Sequence, residues 1–192
     1  MILIGEKINA TRKPIAAAIA DRDAEAIARV AREQAEAGAD YLDLNGGDPD
    51  ERRETENLLW LIEIVRGVAD LPLCIDTASA SAADEALAAA GEGAILNSVS
   101  MEADRLERGL AVAGKHDCSV VALLMTDDGP PKGAEDRVER VGALVARLRE
   151  VGKRDEQIIA LGLSAAAVAH RLGTPLNTMT LLVEEMKSTV PD

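Results

Sequence analysis

Aromatic residues are nearly absent from this chain. Its 192 residues include no Phe, one Trp and one Tyr, although 47% of them are apolar. This length is sufficient for one domain with a sizeable core, and that core must be built from Ala, Leu, Ile and Val. A planar ligand would therefore be held by hydrogen bonds and aliphatic contacts rather than by stacking on aromatic rings.

Basic residues and cysteines are also scarce. The chain has 21 Lys and Arg against 34 Asp and Glu, which gives a net charge of −13. Nucleic acids and anionic membranes need a basic surface, so neither is expected as a partner. With only Cys74 and Cys118, a disulfide framework or a zinc site is not expected, and both thiols are predicted to be buried and free. The start of the chain has no basic leader, and no apolar run reaches the ~18 residues of a membrane span. We therefore expect a cytoplasmic protein with no metal site.

Short apolar runs alternate with segments of helical periodicity along the chain. The expected strands are 2–4, 41–44, 73–76, 94–97, 119–125 and a sixth that begins near 157. The expected helices are 25–37, 50–68, 81–90, one from about 102 and one over 135–151, with Val138 on the buried side of the last. The first of them is expected to begin after an N-cap at Asp23 and to end at Gly38. Alternation of this kind predicts parallel strands covered by helices. An eight-fold barrel needs about 250 residues, so the pattern predicts a partial (β/α) barrel of five to six units.

Polar side chains stand at the ends of these apolar runs. The set comprises Glu6, Asn9, Asp43, Asn45, Asp76 and Asn97. Carboxyl ends of parallel strands converge on one face, where such folds bind their ligands, so these residues are the candidate site. Each has a structural alternative. Asp76 could cap the next helix, Asn97 could be a turn residue, and Glu6 and Asp43 could be hydrogen-bond partners within the fold.

Four motifs in order resemble those of the pterin-binding barrels, over about residues 1–160. They are IGEKIN at 4–9, GADYLDLN at 38–45, LCIDT at 73–77 and ILNS at 95–98. Within these barrels the chain most resembles the methyltetrahydrofolate:corrinoid methyltransferases. The folate domain of cobalamin-dependent methionine synthase is related, and dihydropteroate synthase is a more distant relative and an alternative activity.

The resemblance implies a TIM-type (β/α)8 barrel that binds methyltetrahydrofolate at its C-terminal face. It also implies transfer of the N5 methyl group to the cobalt of a corrinoid, or cobalamin, on a partner protein, and a homodimer. Asp76 matches the family's pterin-binding Asp. Asn97 matches the family's Asn on the N5 side and is the expected catalytic residue. Glu6, Asn9, Asp43 and Asn45 are further expected substrate-binding residues.

The resemblance changes character near the sixth strand. Residues 158–165 read IIALGLSA, where the family would have an Asp-Pro pair and later an Asn at Ala165. Residues 165–187 resemble the phosphoacceptor box of sensor histidine kinases, with His170 as the acceptor and Arg171 in place of the usual acid. We therefore expect a partial barrel over 1–164 and a C-terminal helix over 165–192. A signalling module acting through His170 and an inactive truncated fragment remain alternatives, so it stays open whether the chain is an enzyme.

Overall fold

The computed structural model describes residues 2–153 and 158–161 as strands and helices that alternate along the chain. The strands are β1 Ile4–Asn9, β2 Tyr41–Asn45, β3 Leu73–Asp76, β4 Ile95–Ser100, β5 Ser119–Leu123 and β6 Ile158–Leu161. The helices are α1 Lys13–Ala20, α2 Ala24–Glu36, α3 Glu51–Arg66, α4 Ala80–Ala90, α5 Ala103–Lys115 and α6 Ala134–Glu150. The expected C-terminal helix and His170 lie outside the described residues.

Two compact units make up the described chain. The first comprises residues 2–97 and 116–118, and the second comprises 98–115 together with the described residues from 119 onward. In the first unit, β1, β2, β3 and β4 pair in chain order and all in parallel. In the second unit, β5 and β6 pair in parallel. The predicted α/β class with parallel strands is therefore confirmed.

Three helices of the first unit, α2, α3 and α4, begin after residues whose side chains accept hydrogen bonds from free backbone N–H groups. Asp23 accepts the N–H of Ala26 at 3.0 Å before α2, as its sequence position predicts. Asp50 does the same before α3, and Ser79 before α4. These oxygen caps satisfy donors that have no partner inside the helix. One apolar face of α3 is then buried, with Leu58, Leu61, Ile62 and Val65 each at most 3% exposed.

Two expectations about element boundaries and packing were wrong. The first strand was placed at residues 2–4, but β1 runs from Ile4 to Asn9, because pairing with β2 resumes at Ile8 and Asn9 after an irregularity between Gly5 and Ile8. Val138 on α6 is 61% exposed rather than buried, whereas Leu144 and Leu148 on the same helix are at most 1% exposed. Helical spacing alone does not show how wide the buried stripe of a helix will be.

Both cysteines are buried and neither forms a disulfide, as the sequence predicts. Within residues 2–153 and 158–161, no helix combines the length and apolar character that a membrane crossing would require.

Candidate functional site

Four of the predicted site residues form one row across the first four strands. The strand register pairs Asn9 with Asn45 and Asp76 with Asn97. Leu44 pairs with Ile75, so Asn45 and Asp76, one residue further along, are also neighbours. Because paired residues of adjacent strands project to the same face, all four side chains lie on one face of the sheet. They also lie toward one edge of the sheet, because Asn9, Asn45 and Asp76 are the last residues of their strands. This edge carries the carboxyl ends of β1, β2 and β3, as expected from the sequence.

Two amides orient the carboxylate of Asp76 in this row. Asn45 Nδ2 donates to Asp76 Oδ2 at 3.0 Å and to the Asp76 backbone oxygen at 3.2 Å. Asn9 Nδ2 lies 3.4 Å from the same Oδ2, and Asn9 Oδ1 is itself held by the backbone N–H and hydroxyl of Thr11 at 2.9 and 2.7 Å. The half-buried carboxylate of Asp76 is therefore fixed in direction before any ligand arrives.

The orientation of Asn45 leaves one buried acceptor unused. Its Nδ2 faces two oxygens of Asp76, so its Oδ1 must face away, toward Gly47. Among the described residues this buried Oδ1 has no hydrogen-bond partner. A buried polar atom without a partner is uncommon and is typical of functional sites, where a ligand or water completes the hydrogen bonding.

Asp43 lies one layer below the row. It is two residues before Asn45 on the same strand and so projects to the same face. Asp43 is 2% exposed, and its Oδ1 accepts a hydrogen bond from Asn97 Nδ2 at 3.2 Å. Burial, and secondarily the negative charge of Asp76, raises the pKa of Asp43 to about 8, although the hydrogen bonds from Cys74 and Asn97 oppose the shift. Asp43 therefore holds a proton at neutral pH.

Cys74 is the partner of Asp43 in the strand register. The thiol is fully buried, and burial together with the neighbouring Asp43 charge raises its pKa well above the usual value. A thiol in this environment is a structural group and not a nucleophile.

Glu6 differs from the other candidate site residues in its exposure. It lies in β1 and is exposed to solvent, and its charge contributes, as a minor effect, to the raised pKa of Asp43.

The structural alternatives that the sequence left open for Asp76 and Asn97 do not match the structure. Asp76 does not cap α4, since Ser79 does so, and Asn97 lies inside β4 rather than in a turn.

Two polar residues that the sequence analysis did not select are buried directly behind the row. Glu54 on α3 is 9% exposed and Thr77, which follows Asp76, is 6% exposed. Burial raises the pKa of Glu54, with the hydrogen bond from Thr77 acting in the opposite direction. The sequence carried one signal for Glu54. It stands four residues before Leu58, so this acidic residue lies on the apolar face of the predicted helix.

A cleft of about 420 Å³ opens beside the row. Its walls include Ala10 and Gly46, which directly follow Asn9 and Asn45, together with residues of α1 and α3. Arg22 and Arg53 contribute positive charge to this cleft, and Asp48 and Glu56 contribute negative charge. None of the row residues Asn9, Asn45, Asp76 and Asn97 lines this cleft, so it does not by itself mark the binding position at Asp76.

Comparison with known proteins identifies the family. Residues 5–170 match the family described as pterin binding enzyme, and the chain belongs to that family. Over 152 residues it is 32% identical to a methylcorrinoid:tetrahydrofolate methyltransferase from Eubacterium limosum, in an alignment that covers 78% of this chain and 56% of that protein. The chain thus spans little more than half the length of this curated relative. The suspected relationship to pterin-binding methyltransferases is confirmed.

Solved structures with a similar fold include dihydropteroate synthases. The enzyme from Vibrio fischeri aligns with a TM-score of 0.65 at 16% identity, covering 97% of this chain and 68% of that one. The enzyme from Burkholderia cenocepacia aligns with a TM-score of 0.60 at 23% identity, covering 83% of this chain and 55% of that one. At these identities the likeness shows the fold alone. It confirms the predicted class, a partial barrel of the TIM type.

Proposed function

We propose that this chain binds methyltetrahydrofolate and serves in methyl transfer between that folate and a corrinoid carried by a partner protein. The observation that supports it best is the Asp76 carboxylate, held by Asn45 and Asn9 at the carboxyl edge of the strands. The name of the curated relative points to the same pair of methyl carriers.

Asp76 is the residue that we assign to the pterin ring. One edge of a pterin presents amino and ring N–H donors, and a carboxylate accepts such bonds with charge-assisted strength. Because two amides already fix the direction of the carboxylate, little side-chain freedom is lost when the ligand binds. The unused acceptor of Asn45 supports a ligand or water position at this edge.

Asn97 is the residue that we assign to the N5 side of the ring. Its Nδ2 carries two hydrogens, of which Asp43 takes one. The second hydrogen is suited to N5, where negative charge develops as the methyl group leaves. A donor that is held in place stabilises this charge without reorganising during the reaction.

The corrinoid would supply the cobalt centre that carries the methyl group. The curated relative is named for transfer from methylcorrinoid to tetrahydrofolate, the reverse of the direction that the sequence resemblance implied. Asn97 and Asp76 would stabilise the same transition state in both directions, so the site does not choose between them. The direction would follow from the supply of the two methyl carriers.

The test is the affinity of the full chain for methyltetrahydrofolate, measured by calorimetry. Asp76→Ala removes a charge-assisted hydrogen bond and should weaken binding roughly ten- to hundredfold. Asp70→Ala is the matched control, because Asp70 is exposed and stands before β3, at the opposite end of the strand from Asp76. Equal affinity of wild type and Asp76→Ala would contradict the assignment.

The other functions raised by the sequence have separate tests. A dihydropteroate-synthase-like activity would require formation of 7,8-dihydropteroate with 4-aminobenzoate as one substrate. The likeness to those enzymes extends to the fold only. Phosphotransfer through His170 predicts acid-labile phosphate on that residue after incubation with a kinase. A chain that binds no pterin would fit an inactive fragment, and sedimentation would test the homodimer that the resemblance implies.

A further inference from the structure

A buried hydrogen bond joins the helix layer to the end of the third strand. Glu54 Oε1 on α3 accepts from the hydroxyl of Thr77 at 2.7 Å. Both residues are less than one-tenth exposed, so the contact is shielded from water. A short hydrogen bond in such surroundings is stronger and more directional than one at the surface.

The Thr77 side chain is held on two sides. Besides donating to Glu54, its hydroxyl accepts the backbone N–H of Ser79 at 3.0 Å. Its own backbone N–H donates to the Asn97 carbonyl at 3.0 Å. Thr77 thereby ties together α3, the turn that leads into α4, and β4.

Thr77 directly follows Asp76, the last residue of β3. Successive side chains of an extended strand point to opposite faces. Asp76 lies in the row with Asn45 and Asn97, whereas Thr77 contacts α3 on the helix-covered side. Holding Thr77 from behind therefore limits rotation of the backbone from which the Asp76 carboxylate projects.

We propose that Glu54 and Thr77 are positioning residues for pterin recognition and that they act through Asp76 without touching the ligand. This inference rests on the proposed function, because it needs a pterin at Asp76. A carboxylic acid is costly to bury on a helix face otherwise filled by residues such as Leu58 and Leu61. The role at Asp76 explains why an acid stands at that place.

Thr77→Val and Thr77→Ser form the matched pair for the test. Valine keeps the shape of threonine and loses the hydroxyl, whereas serine keeps the hydroxyl. The readout is the ratio of dissociation constants for pterin and its desamino analogue, which lacks the amino donor that Asp76 would accept. We expect wild type and Thr77→Ser to prefer pterin equally and Thr77→Val to lose about tenfold of that preference.

Glu54→Gln and Glu54→Leu provide a second, independent pair. Glutamine retains an oxygen that can accept from Thr77 and should keep the preference, whereas leucine should lower it as Thr77→Val does. The double variant Glu54→Leu/Thr77→Val should lose no more than Thr77→Val alone, because that change already removes the hydrogen bond to Glu54 together with the one from Ser79. Denaturation of each variant provides a control, since a purely structural role would lower stability without changing the preference.

Two results would overturn the inference in different ways. If wild type prefers pterin and Thr77→Val retains that preference in full, the positioning role is wrong and the proposed function stands. If wild type binds neither these two compounds nor methyltetrahydrofolate, the proposed function fails and the positioning role fails with it.

Discussion

The buried carboxyl of Asp43 should make the stability of this protein fall as pH rises. Asp43 is 2% exposed and lies beneath the row that contains Asp76. Its pKa is raised from 3.8 to about 8, first by burial and then by the charge of Asp76. Asp43→Asn removes the titrating group and retains an oxygen that can accept from Asn97.

The size of the effect follows from the pKa difference between the folded and unfolded chain. Below pH 3.8 both states hold the proton, and above about pH 8 both have lost it. Between these values only the folded state keeps the proton, so the free energy of unfolding decreases as pH rises. One pKa unit corresponds to about 1.4 kcal/mol, so the wild type should lose roughly 4 kcal/mol between pH 5 and pH 9 through this group.

Urea denaturation at several values from pH 5 to pH 9 provides the measurement. The pH dependence of wild type minus that of Asp43→Asn isolates Asp43 and its coupling to Asp76, since Glu54, whose pKa is also raised, is present in both. Asp70→Asn, at an exposed position, should retain the dependence of wild type. A difference between wild type and Asp43→Asn of less than about 1 kcal/mol over this range would refute the assignment of a buried, protonated Asp43.

Four further predictions test local features of the structure, three by denaturation of variants and one by thiol labelling. Asp23→Ala removes the N-cap of α2 and should cost about 1 kcal/mol, and an unchanged midpoint would contradict it. Leu58→Ala empties a fully buried site and should cost about 2–5 kcal/mol. Gly47→Ala should destabilise more than Gly38→Ala, because a Cβ at Gly47 would lie 2.6 Å from a neighbouring alanine methyl while none lies within 4 Å of Gly38. Cys74 should react with thiol reagents only at the rate of unfolding, since it is buried and its pKa is raised.

The order of strands and helices could be predicted from local signals. Asp23 before a helical pattern and Gly38 after it marked α2, and the apolar run before Asp76 marked β3. These signals depend on hydrogen bonds and backbone conformations within a few residues, so no distant contact is needed to interpret them. The bounds of β1 were wrong because strand length depends on the partner strand, which a local pattern does not contain.

Convergence of the site residues could also be predicted, because parallel strands bring their carboxyl ends to one edge. The sequence placed Asn9, Asn45, Asp76 and Asn97 at those ends, and the structure brings them into one row. The sequence did not show that Asp43 would be buried beneath these four residues, since all five follow or end apolar runs.

What the sequence determined by itself was the order of its strands and helices, its family, and the strand ends that carry polar groups. Only the tertiary structure decided which of these groups share one row, that Asp43 is buried beneath that row, and that Thr77, next to Asp76, is hydrogen-bonded to α3. The burial of Asp43 and the bond between Glu54 and Thr77 join residues 23 or more positions apart in sequence. Local patterns cannot encode such pairs, because burial and hydrogen-bond partners are properties of segments packed together and not of any one of them.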